Sequence, residues 1–92
     1  MEGLVFRYVV INSFTELDNL KWDNSSKGVT YTMSNVLDYD SKIHPSSSGC
    51  VEIKRYGGLS TLQIFYTGGS KMYIRTFLQA GNNPQWSAWI QV

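Results

Sequence analysis

Cysteine, histidine and charge are all scarce in this 92-residue sequence. The single cysteine, Cys50, excludes an internal disulfide framework. Charged residues make up 16% of the chain and the formal net charge is +1, so the sequence lacks the basic excess that is typical of nucleic-acid-binding proteins. It also lacks a long run of one charge, and its 42% content of hydrophobic residues argues against a disordered chain.

Long apolar segments are absent as well. The longest, Leu4–Ile11, is interrupted by Arg7 and is much shorter than the about 20 residues that span a bilayer. The opening residues, Met1–Gly3, lack the basic region of a secretory signal. We therefore expect a chain that is made in a cytoplasm and does not insert into a membrane.

Aromatic residues, in contrast, are abundant and make up 14% of the chain. Such side chains favour strands, interfaces and platforms for sugars. The length supports one domain over residues 1–92, with a leading strand in 1–12 and the main module in 13–92. A lone chain of this size buries only roughly 60% of the surface that its unfolded form exposes, so a partner subunit would add needed burial.

A strand followed by a short helix is predicted at the start of the chain. The segment Leu4–Ile11 is rich in β-branched and aromatic residues, which is typical of a strand. Ser13 and Glu16 form a capping-box pattern that begins a helix, and turn residues at 23–28 end it. Three apolar residues at three-residue steps form one face of this helix: Phe14, Leu17 and Leu20.

The rest of the chain alternates between apolar and polar residues and predicts strands joined by tight turns. The glycine pairs at 57–58 and 68–69 suggest hairpin turns in which glycine adopts a positive φ. We therefore expect an α+β fold, a small antiparallel β meander with one short N-terminal helix, assembled as a trimer. The predicted strands are Val29–Ser34, Val51–Tyr56, Leu62–Tyr66, Met72–Leu78 and Trp86–Val92.

Catalytic groups are sparse. His44 precedes Pro45 in a polar segment and is predicted to be a surface-loop histidine. Asp38 and Asp40 could act as a carboxylate pair on a glycosidic bond, but a solvated turn is favoured. Cys50 is predicted to be a small buried apolar residue. We expect a protein that is not an enzyme and that needs neither metal nor cofactor.

The aromatic residues of the last two strands offer the candidate binding site. In strict alternation, Trp89 and the set Tyr73, Arg75 and Phe77 lie on faces opposite to their apolar neighbours. The predicted core-facing residues are Met72, Ile74, Leu78, Trp86, Ala88, Ile90 and Val92.

Two interpretations of that second face remain open. It is either cross-strand packing or a subunit interface, or it is an aromatic and polar platform for a sugar or a surface protein. The candidate ligand-binding residues are Tyr73, Arg75, Trp89 and, beside a predicted hairpin turn, Tyr56.

The order of these motifs resembles the pyocin knob family of bacteriophage and pyocin tail-fibre domains. The resemblance runs from about Ser13 to the last residue, and it departs from the family pattern at Lys27, Ile90 and Gln91. The motifs that carry it are Leu-Asp-Asn-Leu at 17–20, Gly-Val-Thr-Tyr at 28–31, Leu-Gln-Ile-Phe-Tyr at 62–66, Met-Tyr-Ile-Arg-Thr-Phe at 72–77 and Trp-Ser-Ala-Trp at 86–89.

The resemblance implies a homotrimeric, non-enzymatic receptor-binding module at the tip of a virion tail fibre. Its expected partner is a bacterial surface polysaccharide or outer-membrane receptor, and three sites on one tip would bind a repetitive glycan more tightly than one. The alternative is a structural trimerisation or capping module without receptor contact.

Overall fold

The structure is a computed structural model that describes residues 7–22, 28–56, 60–78 and 85–92. All its strands belong to one sheet in the order β1-β2-β3-β4-β5-β6, and β7 pairs with β5 beside β6. The elements are β1 (Arg7–Val10), α1 (Phe14–Asp18), β2 (Val29–Met33), β3 (Gly49–Tyr56), β4 (Ser60–Thr67), β5 (Met72–Leu78), β6 (Gln85–Trp86) and β7 (Ile90–Gln91).

The predicted α+β meander was wrong as a fold class, because the described residues form a mostly-β mixed sheet with one five-residue helix. Strand β1 runs parallel to β2, whereas β2 to β5 pair antiparallel with their neighbours. The chain crosses from β1 to β2 through α1, and such a crossover makes parallel pairing possible. The first six residues of the predicted leading strand lie outside the described residues.

Helix α1 is short, and side chains satisfy its N-terminus. The Ser13 hydroxyl accepts a hydrogen bond from the Glu16 amide at 3.0 Å, as the capping pattern predicts. The Asp38 carboxylate accepts bonds from the amides of Phe14 at 2.8 Å and Thr15 at 3.2 Å. Four N–H groups at a helix start lack partners within the helix, and these contacts satisfy three of them.

The helix ends earlier than the sequence suggests. Its last residue is Asp18 and its C-cap is Asn19, so the predicted third helical position, Leu20, lies beyond the helix. Leu20 is half-buried and still packs against the core, whereas Phe14 and Leu17 are buried within the helix. Residues 23–27 of the predicted turn at 23–28 lie outside the described residues.

One face of the sheet, the covered face, lies beneath α1 and contains the core. The alternation predicted in β2 is confirmed, because Val29, Tyr31 and Met33 are all buried there. Cross-strand partners share a face, so the strand registers place the other inward residues beside them. These are Val51 and Ile53 of β3, Thr61, Gln63 and Phe65 of β4, and Tyr73, Arg75 and Phe77 of β5.

The opposite face, the open face, has no buried side chain among the described residues. Its members alternate with those of the covered face along each strand. They are Tyr8, Val10, Thr30, Thr32, Cys50, Glu52, Lys54, Leu62, Ile64, Tyr66, Met72, Ile74, Thr76, Ile90 and Val92.

The predicted last strand is interrupted by a β-bulge. Ala88 and Trp89 together face the single residue Arg75, where strict pairing would place one residue. The pairings on the two sides of this step are Trp86 with Phe77, the Ser87 amide with the Thr76 carbonyl at 2.8 Å, and Ile90 with Ile74.

The bulge reverses the facing of every residue that follows it. A one-residue slip moves a strand's side chains to the other side of the sheet. The prediction that Ala88, Ile90 and Val92 enter the core was therefore wrong, because all three are exposed. Trp89 instead packs against the core.

Turn chemistry also differs from the prediction in the β4–β5 hairpin. The residue with positive φ is Ser70, at 62°, and neither Gly68 nor Gly69 adopts a positive φ. The Thr67 amide donates to the Lys71 carbonyl at 3.0 Å and closes the hairpin around these three residues. The other predicted glycine turn, at 57–58, lies outside the described residues.

Candidate functional site

The covered face contains an internal arginine. Arg75 is only 4% exposed, and its Nη2 lies 2.7 Å from an Asp18 carboxylate oxygen at the end of α1. Its Nε donates to the Gln63 side-chain carbonyl at 2.8 Å. Burial lowers the pKa of Arg75, and the Asp18 carboxylate opposes that shift. The guanidinium group therefore has charged and neutral acceptors inside the fold, as a buried charge requires.

Two tryptophan rings accompany this guanidinium group. The Arg75 Cζ atom lies 4.2 Å from the centre of the Trp86 ring and 4.4 Å from that of Trp89. Residues three apart on a regular strand would point to opposite faces, so the bulge is what brings both indoles to one side. Cation–π attraction of this kind contributes roughly 0.5–2 kcal/mol per contact.

The sheet also satisfies the C-terminus of α1. Helix ends leave unpaired carbonyls, and here side chains of the covered face donate to them. The Gln63 amide donates to the carbonyls of Leu17 at 2.8 Å and Leu20 at 3.1 Å. The Trp86 indole donates to the Asp18 carbonyl at 3.0 Å. Through these contacts Gln63 and Trp86 hold the end of α1 against the covered face, as Arg75 does through Asp18.

The structure brings three of the four candidate platform residues together. Tyr73, Arg75 and Trp89 do lie together, but on the covered face, and a ligand would have to displace α1 or the indoles to reach Arg75. Tyr73 is half-buried and packs against the core. The side chain of Tyr56, the fourth candidate, lies outside the described part of the structure.

The segment that joins β2 to β3, residues 34–48 and called here the β2–β3 loop, is anchored at several points. The Asn35 amide donates to the Ser48 hydroxyl at 2.8 Å, and the Val36 amide donates to the Ser47 carbonyl at 3.2 Å. Val36 is buried, and Asp38 caps α1 as described above. The loop backbone is thereby tied to the strand ends and to the helix.

His44 supplies a further anchor of the loop. Its ring stacks on Phe14 with a centroid distance of 3.6 Å, and its Nδ1 accepts a hydrogen bond from the Trp89 indole at 3.2 Å. The prediction of a surface-loop histidine was therefore wrong, because the ring is half-buried between the helix and the last strands. Burial, assisted by the charge of Arg75, lowers the pKa of His44 and keeps Nδ1 available as an acceptor.

The carboxylates of the loop have structural partners. Bonds from the Phe14 and Thr15 amides lower the pKa of Asp38, although its partial desolvation opposes them. The Asp40 carboxylate accepts from the Lys42 amide at 2.9 Å within the loop. Each carboxylate thus accepts a hydrogen bond from a backbone amide, which favours the predicted turn role over a catalytic pair.

Between its anchors the β2–β3 loop exposes apolar side chains. Leu37 is 99% exposed, Ile43 is 62% exposed and Tyr39 is 36% exposed. A loop that is held rigid while presenting apolar groups to solvent is typical of a binding loop. No hydrophobic periodicity marks these residues, so sequence reasoning missed them.

The open face is a second exposed surface, with mostly apolar side chains on β1, β4, β5 and β7 and mostly polar ones on β2 and β3. Its charged residues, Glu52 and Lys54, form an ion pair with a distance of 3.4 Å. The Tyr66 hydroxyl donates to the Glu52 carboxylate, which raises the pKa of Tyr66 to about 12. Cys50 lies on this face half-buried rather than in the core, and its partial burial raises the pKa of its thiol.

Other kinds of site find no support in the described residues. No helix among them is long and apolar enough to cross a membrane. No group of three or more histidine, cysteine, aspartate or glutamate side chains in residues 7–22, 28–56, 60–78 and 85–92 could hold a metal ion.

Comparisons with protein-family models, curated proteins and solved structures find no match for this chain. The resemblance to the pyocin knob family therefore stays a prediction that rests on the motifs quoted above.

Proposed function

We propose that this chain is a receptor-binding module of a bacteriophage-type tail fibre. It works as a homotrimer, catalyses no reaction and adheres to a bacterial surface glycan or outer-membrane component. The observation that supports this proposal best is the anchored β2–β3 loop with exposed Leu37, Tyr39 and Ile43.

Rigidity makes the loop suited to adhesion. Ordering a loop on binding costs free energy, and a loop that is already held avoids most of that cost. The Asp38 bonds to α1 and the His44 stack on Phe14 provide this hold. An exposed tyrosine beside apolar groups also fits the sugar faces and protein surfaces that such modules contact.

The contact surface in this proposal differs from the one predicted from the sequence. Arg75 and Trp89 act inside the fold and position the loop through His44, whereas the loop itself meets the receptor. The family resemblance supports the fibre location and the trimer, and it contributes nothing about individual receptor contacts.

A second candidate function is a structural trimerisation or capping module of the fibre without receptor contact. The apolar side chains that β4, β5 and β7 contribute to the open face favour it, because such a cluster suits subunit packing. The two candidates differ in what the β2–β3 loop does, so a loop variant that leaves assembly intact separates them.

Adsorption of fluorescently labelled protein to a panel of bacterial strains tests the proposal. We expect binding to permissive strains that free surface glycan or isolated outer membrane competes away. Leu37→Ser should reduce the affinity about tenfold or more, since burying a leucine contributes roughly 1.5–3 kcal/mol. Val9→Ser is the control, because Val9 is 37% exposed and belongs to edge strand β1 rather than to the loop.

Absence of adsorption to every strain tested would refute receptor binding. Equal adsorption of Leu37→Ser and wild type would show that the loop is not the contact. A trimer that adsorbs to no strain would favour the structural module instead.

A further inference from the structure

We infer that His44 is an acid-sensitive anchor, whose protonation releases residues 40–44 of the β2–β3 loop from the last strands and weakens adhesion to the receptor. The inference rests on the proposed function and deepens it, because it adds regulation to the same loop. It concerns the part of that loop that carries the exposed Ile43.

Residues 40–44 form a compact turn, called here the 40–44 turn. The Asp40 carbonyl accepts hydrogen bonds from the amides of Ile43 at 3.0 Å and His44 at 2.8 Å. The Asp40 carboxylate accepts a further bond from the Lys42 amide at 2.9 Å. These bonds are all internal to the turn. The turn therefore keeps its own shape whether or not the His44 ring is docked, and it can move as one unit.

The His44 ring docks this turn between α1 and the last strands. It stacks on Phe14 with 3.6 Å between the ring centroids and 10° between the ring planes. Its Nδ1 accepts the Trp89 indole N–H at 3.2 Å. Trp89 is itself held, because its ring packs edge-on against Phe65 with a centroid distance of 5.5 Å. Since an indole nitrogen only donates, the imidazole that fits this arrangement is neutral and carries its proton on Nε2.

Protonation of His44 removes this hydrogen bond. Both nitrogens of a charged imidazole are donors, so neither accepts the Trp89 indole N–H. The Arg75 guanidinium group, whose Cζ lies 4.4 Å from the centre of the Trp89 ring, adds a like charge that opposes protonation. The Phe14 ring attracts an imidazolium, but that attraction still leaves the indole N–H without its acceptor. The charged ring is therefore held less well than the neutral one.

The charges that act on His44 come from three parts of the fold. Burial of the ring and the charge of Arg75, on β5, lower its pKa. Asp18, at the end of α1, and the loop residues Asp38 and Asp40 act in the opposite direction. The lowered pKa belongs to the docked ring, and a released ring returns to the ordinary value of 6.5. Between those two values, each unit of falling pH shifts the equilibrium about tenfold toward the released turn.

The other anchors described for the loop are unchanged in this pH range. Asp38 holds the start of α1, and its pKa lies below 3.8, so its carboxylate stays ionised at pH 5. The bond from the Asn35 amide to the Ser48 hydroxyl and the burial of Val36 involve no titratable group. Mild acid should therefore release the 40–44 turn while the rest of the loop stays held.

Two indoles of the same chain test the inference without any substitution. The Trp89 indole donates to His44, whereas the Trp86 indole donates to the Asp18 carbonyl at 3.0 Å, an acceptor that does not titrate. We expect NMR spectroscopy to show that the Trp89 indole N–H loses protection from solvent exchange between pH 7.5 and pH 5, after correction for the intrinsic rate, while Trp86 keeps its protection. His44 is the only histidine in the sequence, so its ring resonance reports its pKa directly, and the two midpoints should coincide.

A variant that cannot titrate adds the adhesion readout. His44→Asn places an amide oxygen near the position of Nδ1, so it retains an acceptor for the Trp89 indole but takes up no proton. Adsorption to a permissive strain should be several-fold weaker at pH 5 than at pH 7.5 for wild type, and it should change much less for His44→Asn. The comparison of indoles in wild type decides the matter if this variant does not fold.

The outcomes separate this inference from the proposed function. Retained protection of both indoles at pH 5 would overturn the acid-sensitive anchor, and so would equal loss, because acid would then unfold the whole domain. Adsorption with the same pH dependence in wild type and His44→Asn would leave receptor binding standing and overturn its regulation by His44. Selective exposure of the Trp89 indole in a protein that adsorbs to no strain at either pH would support the anchor and refute receptor binding.

Discussion

Arg75 shows how one residue can dock a helix onto a sheet. Its charge is buried, yet Asp18 is 46% exposed by its side chain, so water reaches only one partner of the ion pair. Alternation along β5 places Arg75 on one face, but nothing in the sequence near it reveals that the end of α1 lies above it. Three of the candidate platform residues, Tyr73, Arg75 and Trp89, share the covered face of the sheet.

Removing the Asp18 side chain should therefore lower the free energy of unfolding substantially only while Arg75 is present. Asp18→Ala should lower the free energy of unfolding by about 2 kcal/mol, because it leaves a buried guanidinium group without its carboxylate. The figure is below that of a wholly buried pair, since Asp18 is half-exposed. Urea unfolding measures the change.

The control is the same substitution in a second background. In Arg75→Met, Asp18→Ala should cost much less, because the pair is already absent. An equal cost in both backgrounds would show that the ion pair does not stabilise the fold.

His44 makes the stability of the fold sensitive to acid. Burial and Arg75 lower its pKa below 6.5, while Asp18, Asp38 and Asp40 act in the opposite direction. Because the unfolded chain binds the proton more readily, stability is complete above about pH 6.5 and falls as the pH decreases through the lowered value. The lowered pKa of Asp38 adds a loss only below about pH 4.

Urea unfolding at pH 7.5 and pH 5 should show lower stability at pH 5. His44→Phe should be less stable than wild type at pH 7.5, because the Trp89 indole loses its acceptor, but it should lose less on acidification. A wild type and a His44→Phe variant with the same pH dependence would contradict this assignment.

At the scale of elements, local patterns were predicted correctly where they do not depend on which other strand or helix the segment packs against. The Ser13 cap and the buried alternation of Val29, Tyr31 and Met33 follow from the residues themselves. The bulge at Ala88 and Trp89 was missed, because a two-to-one pairing is a property of two strands together. The one extra residue of the bulge explains why Ile90 and Val92 point to the face opposite to the predicted one.

Gly49 is the residue that lets β3 begin where it does. Its φ is 152°, and an added Cβ would lie 2.6 Å from a ring carbon of Phe65 and against the Tyr66 carbonyl. We expect Gly49→Ala to destabilise the fold by about 3 kcal/mol or more, from backbone strain and overpacking together. Gly69→Ala is the control, because its Cβ would meet nothing within 4 Å.

Thermal unfolding compares the two glycine variants. Gly49→Ala should unfold at a clearly lower temperature, and Gly69→Ala close to wild type. Equal midpoints would contradict the close approach of β3 to β4 at this position.

At the scale of the whole molecule, the sequence predicted an exposed aromatic and polar surface, whereas the structure places Tyr73, Arg75 and Trp89 on the covered face. The helix covers the face with Arg75 and the tryptophans, and the face with Ile64 and Ile74 remains open. Which face a five-residue helix covers depends on contacts such as Gln63 with Leu17, which lie far apart in sequence. The exposed loop residues Leu37 and Ile43 carry no pattern that marks them in advance.

The native mass of the protein in solution tests the account most directly, because the proposed fibre module requires three copies of the chain to associate. Native mass spectrometry at micromolar concentration should show a complex of three copies of the 10.5 kDa chain. A species at the mass of one chain, unchanged as concentration rises, would contradict the account.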